Sequence, residues 1–329
     1  MPSLPALCSE DLGQMNSLVG RTLANRFRLD ALLSRGSKGD VYKAWDRQLS
    51  EGVAVKVVHS TRASHARLED EAQREAVALD RLRHPNIVGF RALERDGDLI
   101  FIVMDHVEGR NLRDEITSHG ARLGPQWLLD VLRGMCSALQ FAHEAGYVHR
   151  DLRPANIIIT PTSSPVITDF GIAHLAGQRG DEGPRGSVSY MAPEQVEGGE
   201  PSPAIDIYAL GVILYEVLSG GRRPFSGESP EAVGATRRER IRWEQIHLQP
   251  RPLRNWNPGI PTAIESVVMR CLQKDPARRY ASADALLGDL ERFLPEAGTP
   301  PAVPGRRLKS GLRAFFAAGK AALRRAFRS

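Results

Sequence analysis

Cysteine is scarce: the 329 residues hold three, Cys8, Cys136 and Cys271. They are odd in number, far apart and without metal-ligand spacing, which argues against a disulfide framework or a cysteine-based zinc site. A reducing, cytoplasmic setting is the expectation. No apolar run reaches the ~18–20 residues that span a bilayer. No secretory signal is expected either, because Glu10 and Asp11 interrupt the N-terminal stretch before an apolar segment develops. Internal repeats are absent. Acidic residues are missing from 306–329, where Arg306, Arg307, Lys309, Arg313, Lys320, Arg324, Arg325 and Arg328 stand. The overall charge of +5 therefore belongs to that tail and leaves residues 1–305 at −3. No specific nucleic-acid partner is expected.

What remains is ordinary globular composition, 42% hydrophobic and 25% charged. The length suits one large two-part domain or two small ones and allows a sizeable core. Residues 1–19 read as a flexible leader. From Arg26 to about Met104 the pattern is mostly strand-like, with β-branched runs at residues 53–58 and 99–103. Between them Leu68, Ala72, Glu75, Leu79 and Leu82 form one helical stripe, stopped by His84-Pro85-Asn86. From Glu108 to about Leu294 the pattern is mainly helical, over 127–145, 205–218, 264–272 and 283–294. Residues 205–218 are apolar nearly all round, as in a buried helix. Pro295, Pro300, Pro301 and Pro304 mark a linker over 295–305.

Gly36-Ser37-Lys38-Gly39-Asp40-Val41 joins two strand patterns. Glycines there let backbone N–H groups approach phosphates, although a plain hairpin turn uses the same residues. Lys56 lies within an apolar strand on the face of Ala54 and Val58, and Glu75 lies on the inward stripe of the next helix. A lone buried charge costs several kcal/mol, so the two are expected to pair. Alone, each also fits a snorkelling lysine or a helix-shoulder glutamate. With the glycine loop upstream, the pair reads as a phosphate clamp.

His149-Arg150-Asp151-Leu152-Arg153-Pro154-Ala155-Asn156 resembles the catalytic loop of protein kinases. Asp169-Phe170-Gly171 and Ala192-Pro193-Glu194 follow at the family's spacings. Glycine loop, strand lysine, helix glutamate, catalytic loop, metal aspartate and Ala-Pro-Glu all occur in order. The resemblance covers about Val19 to Leu294. Its flavour is that of bacterial eukaryotic-like (Hanks-type) serine/threonine kinases, carried by Glu108-Gly109 and Tyr190-Met191-Ala192-Pro193-Glu194-Gln195.

That resemblance implies an α+β, two-lobed kinase-like fold over residues 20–294: an N-lobe of about 20–104, a hinge of 105–108 and a C-lobe of 109–294. It implies Mg²⁺-dependent transfer of the ATP γ-phosphoryl group to Ser/Thr hydroxyls of protein substrates, in a signal-transduction role. Mn²⁺ is an acceptable substitute. Asp151 is the expected base, Asn156 and Asp169 the metal ligands, and Lys56, held by Glu75, the contact to the α/β-phosphates. Gly36 and Gly39 would cover the phosphates. Val41, Ala54 and Ile158 would sandwich the adenine beside Met104 and the hinge Asp105-His106-Val107. Leu79, Phe90, His149 and Phe170 would form a hydrophobic column anchored by Asp206, and Glu194 would pair with Arg279.

Departures from the pattern are Ser34 for the first loop glycine, Arg153 for a lysine and Ser187 for a threonine. The hydroxyl of Ser187 is expected to bond Asp151 and Arg153. Residues 172–186 contain no Ser, Thr or Tyr. Asp181 or Glu182 would then replace the loop phosphate that arginines such as Arg150 demand; a solvated loop tip reads equally well. In the tail, Leu308, Leu312, Phe315, Phe316, Leu323 and Phe327 share one helical face flanked by basic residues. This suits an anionic membrane surface, a partner protein or the acidic kinase body itself. A disordered basic tail is the plainer alternative. Two rival functions stay open: a nucleotide-binding pseudokinase scaffold and a small-molecule phosphotransferase.

Overall fold

In the run Glu51–Val58, Val53, Val55 and Val57 are buried together and the residues between them point the other way. This is the period of two of a strand whose faces meet different surroundings. The computed structural model describes residues 18–36, 39–58, 65–119, 124–170, 174–175 and 188–294. The described residues form two compact units, one of those up to 76 with 90–106, the other of 77–89 with those from 107 on.

The first unit is built on a six-stranded antiparallel sheet. Its strands are β1 (Thr22–Leu23), β2 (Phe27–Gly36), β3 (Gly39–Asp46), β4 (Glu51–Val58), β5 (Phe90–Asp96) and β6 (Leu99–Asp105), in the order β1-β2-β3-β4-β6-β5. Leu23, Phe27, Leu29, Tyr42, Ala44, Phe101 and Val103 join the three β4 valines in one core. Phe27 and Phe101 meet edge to face at 5.8 Å. On the other face, register pairs Val41 with Lys56 and Ala54 with Met104. Helix α1 (His65–Arg81) turns Ala72, Glu75 and Leu79 inward, as the stripe predicts.

The second unit is mainly helical. It contains α2 (Leu112–His119), α3 (Pro125–Glu144), α4 (Pro193–Val196), α5 (Pro203–Leu218), α6 (Arg237–His247), α7 (Thr262–Cys271) and α8 (Ala283–Phe293). Every residue of α5 from Ile205 to Leu218 is buried, as its all-round apolar composition requires. Gly211 on α5 is dictated by packing: a Cβ there would lie 2.5 Å from the Cβ of Cys271 on α7. Short strands β7 (Arg110–Asn111), β9 (Ile157–Ile159) and β10 (Pro165–Ile167) form a three-stranded sheet, and β8 (Tyr147–Val148) pairs with β11 (His174–Leu175).

Helices α2 and α6 and strand β5 fall within the mainly helical and strand-like stretches of the sequence reading but are not singled out there. Helix α6, RRERIRWEQIH, has no broad apolar stripe. Its start is fixed by a capping box, in which Thr236 accepts from Glu239 N–H and the Glu239 carboxylate accepts from Thr236 N–H.

Candidate active site

The first unit carries one group of candidate residues. Lys56 Nζ meets Glu75 Oε1 at 2.7 Å, and both residues are buried, 4% and 7% exposed. The pair anticipated from the sequence is thus formed. Removing either partner would leave a buried charge, which costs about 3–5 kcal/mol. Val41 is the direct cross-strand neighbour of Lys56, and Ala54 of Met104, so these four share one sheet face. Asp105 ends β6, and its carboxylate accepts from Arg91 Nε; Arg91 also bonds Glu51.

Gly36 and Gly39 close the β2–β3 turn as a cross-strand pair. A Cβ on Gly39 would lie 2.3 Å from the Val57 carbonyl oxygen, so strand packing by itself requires glycine there. Ser37 and Lys38 lie outside the described residues.

The second unit carries the other group, on the segment after β8. Asp151 and Arg153 are partly exposed, their side chains 17% and 38%, with Arg153 Nε 4.0 Å from Asp151 Oδ2. A single 3-10 turn, Pro154–Asn156, follows. Asn156 is buried, and its Nδ2 donates to the Asp151 carbonyl at 2.9 Å. That bond fixes the amide so that Oδ1 remains the presented acceptor, with a long 3.3 Å contact from Arg153 Nε.

Strands β9 and β10 pair Ile157 with Ile167. Thr168 N–H donates to the Asn156 carbonyl at 2.9 Å. Asp169 is the next residue, so the hairpin brings the backbones of both proposed metal ligands together. Ile158 lies on β9 and is half-buried; Val107 lies between β6 and β7 and is half-buried.

This loop is held from a distance. Asp206, at the start of α5 and fully buried, accepts from the backbone N–H groups of His149 (2.8 Å) and Arg150 (2.9 Å) and from His143 Nε2 (2.8 Å). Burial alone would push the Asp206 carboxyl up. The His143 bond, with the charge and N–H donors around it, outweighs that and holds it below the usual aspartate range. Gln195 Nε2 donates to the Arg150 carbonyl at 2.7 Å. Arg150 thereby has both backbone polar groups clamped while it occupies a left-handed φ of 67°. Asp169 also lies there, at φ 61°. Such residues cost about 1–3 kcal/mol and persist only where the surroundings over-determine them.

His149 Nδ1 accepts from Asp151 N–H at 3.2 Å, and Nε2 faces the Thr168 carbonyl at 2.9 Å. Its ring meets Phe170 edge to face at 4.6 Å. One imidazole therefore ties the Arg150–Asn156 loop to the Asp169 segment. Glu194, from Ala-Pro-Glu, forms a two-pronged pair with Arg279 at 2.6 and 2.7 Å, and the Arg279 side chain is fully buried. The sequence reading had given no role to His143, Gln195 or Thr168. Only Gln195, within the quoted Tyr190–Gln195 motif, carried any signal.

A divalent cation in complex with nucleotide phosphates needs hard oxygen donors and open positions for phosphate and water. The Asn156 amide oxygen and the Asp169 carboxylate supply such donors. Among the described residues no group of three or more His, Cys, Asp or Glu could hold a metal alone. The donor set fits an ion that brings its own phosphate ligands. Ser187, the Asp181-Glu182 pair, Gly171 and the basic tail all lie outside the described residues.

Known proteins agree with this architecture. The protein kinase domain family matches residues 27–289. The chain is 33% identical to the serine/threonine-protein kinase PrkC of Bacillus subtilis over 277 residues, 83% of this chain and 41% of PrkC. It is 37% identical to PknA of Mycobacterium tuberculosis over 329 residues, 93% of this chain and 72% of PknA. PknB of Mycobacterium tuberculosis is 34% identical over 291 residues, 86% of this chain and 45% of PknB. The chain thus spans less than half of PrkC and PknB. Among solved structures, the kinase domain of Mycobacterium tuberculosis PknI superposes with a TM-score of 0.63 at 25% identity, covering 85% of this chain and all of that domain.

Proposed function

Because the chain belongs to the protein kinase domain family, with bacterial serine/threonine kinases among its relatives, we propose that it transfers the γ-phosphoryl group of ATP to Ser and Thr hydroxyls of protein substrates. The observations that carry this reading are the preformed Lys56–Glu75 pair in the first unit and, in the second, the braced acceptors Asp151 and Asn156 with Asp169. The kinase domain is taken as residues 20–294.

In this reading Lys56 neutralises the α/β-phosphates, and Glu75 keeps its ammonium aimed at them. The turn at Gly36 and Gly39 lies over the phosphates. Val41, Ala54 and Ile158 hold the adenine, with Met104, Asp105 and Val107 at its edge. Asn156 and Asp169 would hold Mg²⁺, or Mn²⁺ in its place, and the bound ion would supply positive charge that offsets the phosphates. The Asp151 carboxylate orients the acceptor hydroxyl and takes its proton. The hydroxyl oxygen bonds to the γ-phosphorus while the bridging oxygen leaves with ADP. Arg153 supplies a positive charge next to Asp151. The buried His149, Asp206 and Gln195 act only by positioning the loop.

No helix among the described residues is long and apolar enough to cross a membrane. We place the kinase in the cytoplasm, with residues 306–329 as the segment that meets an anionic membrane surface or a partner protein. Flotation of the full chain with phosphatidylserine vesicles checks this, and equal flotation after deletion of 306–329 would remove the tail from the account.

The function itself is tested with radiolabelled ATP, Mg²⁺ and myelin basic protein as a generic acceptor. The expected result is metal-dependent label recovered as phosphoserine and phosphothreonine. Label on tyrosine alone, or none despite Mg²⁺–ATP binding, would overturn it.

A further inference from the structure

Residues 219–257 carry eight arginines against four glutamates, a local +4 in a body that is otherwise acidic. One of those glutamates, Glu244, is buried, its carboxylate accepting from the N–H groups of Gly227 and Ser229. Within this stretch two exposed arginines converge on one ring. The Arg222 guanidinium carbon lies 4.5 Å from the centroid of Trp256, and that of Arg251 lies 5.9 Å from it. Among the described residues neither guanidinium has a carboxylate partner. The nearby Glu265 is engaged by the Arg254 N–H at 2.9 Å.

The platform is anchored to the core. Trp256 Nε1 donates to Tyr215 Oη at 2.8 Å, and Tyr215 Oη donates to the Arg251 carbonyl at 2.9 Å. Tyr215 is a buried residue of α5. One buried hydroxyl therefore fixes both the indole and the backbone of Arg251, which stands between Pro250 and Pro252. On the other side, Arg222 follows a locked turn at the end of α5. Gly221 N–H donates to the Glu216 carbonyl at 2.7 Å, and Ser219 Oγ bonds the Arg222 carbonyl at 2.7 Å. Both cations thus have fixed backbones and lie against one indole ring, so less freedom is lost when they take a ligand.

We infer that Arg222, Arg251 and Trp256 form a docking site for an anionic peptide segment of a protein partner, one bearing phosphorylated or acidic side chains. Unpaired, preorganised guanidiniums present parallel N–H donors that match phosphate and carboxylate oxygens. The indole that both approach gives a peptide an apolar surface to lie against. None of the three belongs to the machinery proposed for phosphoryl transfer, so binding is measured without nucleotide and is independent of the kinase reading.

The test is fluorescence anisotropy of the full chain with three short labelled peptides: one with two phosphoserines, one with glutamates in their place and one with neutral serines. The phosphopeptide should bind, and the neutral peptide should bind at least about tenfold more weakly. Arg222→Gln with Arg251→Gln should cost about tenfold or more in phosphopeptide affinity, with the melting temperature unchanged. The charge-preserving pair Arg222→Lys with Arg251→Lys should fall between. Arg238→Gln with Arg254→Gln, which removes the same charge from the same stretch, should retain most of the affinity. Binding of the glutamate peptide alongside the phosphopeptide would widen the ligand to acidic peptides in general. Equal loss in both glutamine pairs would reduce the site to diffuse charge and overturn the proposal. So would equal binding of the neutral peptide. It would also fall if the wild type bound phosphatidylserine vesicles through these arginines but bound no peptide.

Discussion

In the first unit, Val41, Ala54, Lys56 and Met104 reach one face because strands β3, β4 and β6 pair in register. In the second, Asp151 stands on a segment between short strands, and a buried aspartate more than fifty residues away holds the backbone just before it. One group is positioned by repetitive backbone bonding, which every strand residue shares. The other is positioned by a few side-chain bonds that no neighbour can replace. The regular arrangement tolerates change except at points of close approach. The braced loop and the Asp169 segment tied to it accommodate one left-handed residue each, Arg150 and Asp169, and stand or fall with their braces. In the proposed reading the nucleotide would lie on a robust surface, and the reacting groups would stand on an irregular, buried polar framework.

Substitutions can break or sharpen that contrast. The largest effect is expected at Asp151, the carboxylate proposed as the base. Asp151→Asn should lower the transfer rate by about 10²–10⁴ while nucleotide affinity stays within about threefold, because general-base work is lost and first-unit contacts are not. Steady-state rates with a titration of a fluorescent nucleotide check both halves. Gly39→Ala attacks the regular half at its one tight point. It should cost about 1–3 kcal/mol in denaturant unfolding, since the new Cβ meets the Val57 carbonyl. Gln195→Leu attacks the braced half and leaves the Arg150 carbonyl without its side-chain donor. A loss of about 1–3 kcal/mol in unfolding free energy is expected, with a larger proportional fall in turnover than in nucleotide affinity.

The last effect shows only as a pH dependence and concerns Lys274, which lies over the Phe225 ring and donates to the Gln245 carbonyl. Burial, aided by the Arg279 charge, lowers its pKa from 10.5 to about 7, although the carbonyls favour the ammonium. Between those values the unfolded chain holds this proton and the folded chain does not, so stability rises with pH across the window. Urea midpoints of wild type and Lys274→Met should therefore shift in favour of the wild type between pH 7 and pH 9.5.

The same contrast explains what the sequence could tell. The β4 run, the α1 stripe and the apolar α5 were legible because strand and helix periods write themselves into residue order. The Lys56–Glu75 pair followed from two buried charges lying on two legible elements. The fold class followed from the order of motifs and agrees with the kinase-domain match. The capping box that starts α6 was the available sign of a helix without an apolar face. The grip of Asp206 on the loop was anticipated only through resemblance, because its bonds span 56 and 57 residues and no local pattern encodes them. His143 and Gln195 were missed for the same reason. The packing need for Gly39 was hidden because glycine near a phosphate loop already had an explanation.

The dependence of the reacting loop on remote bracing is tested most directly by Asp206→Asn, with turnover and nucleotide affinity measured on the same preparation. The amide keeps an oxygen for one backbone donor but loses the charge that holds His143 and both N–H groups. The account predicts a folded protein whose nucleotide affinity stays within about threefold and whose transfer rate falls by at least about tenfold. Unchanged turnover in a folded Asp206→Asn protein would contradict it, as would an equal loss of affinity and rate.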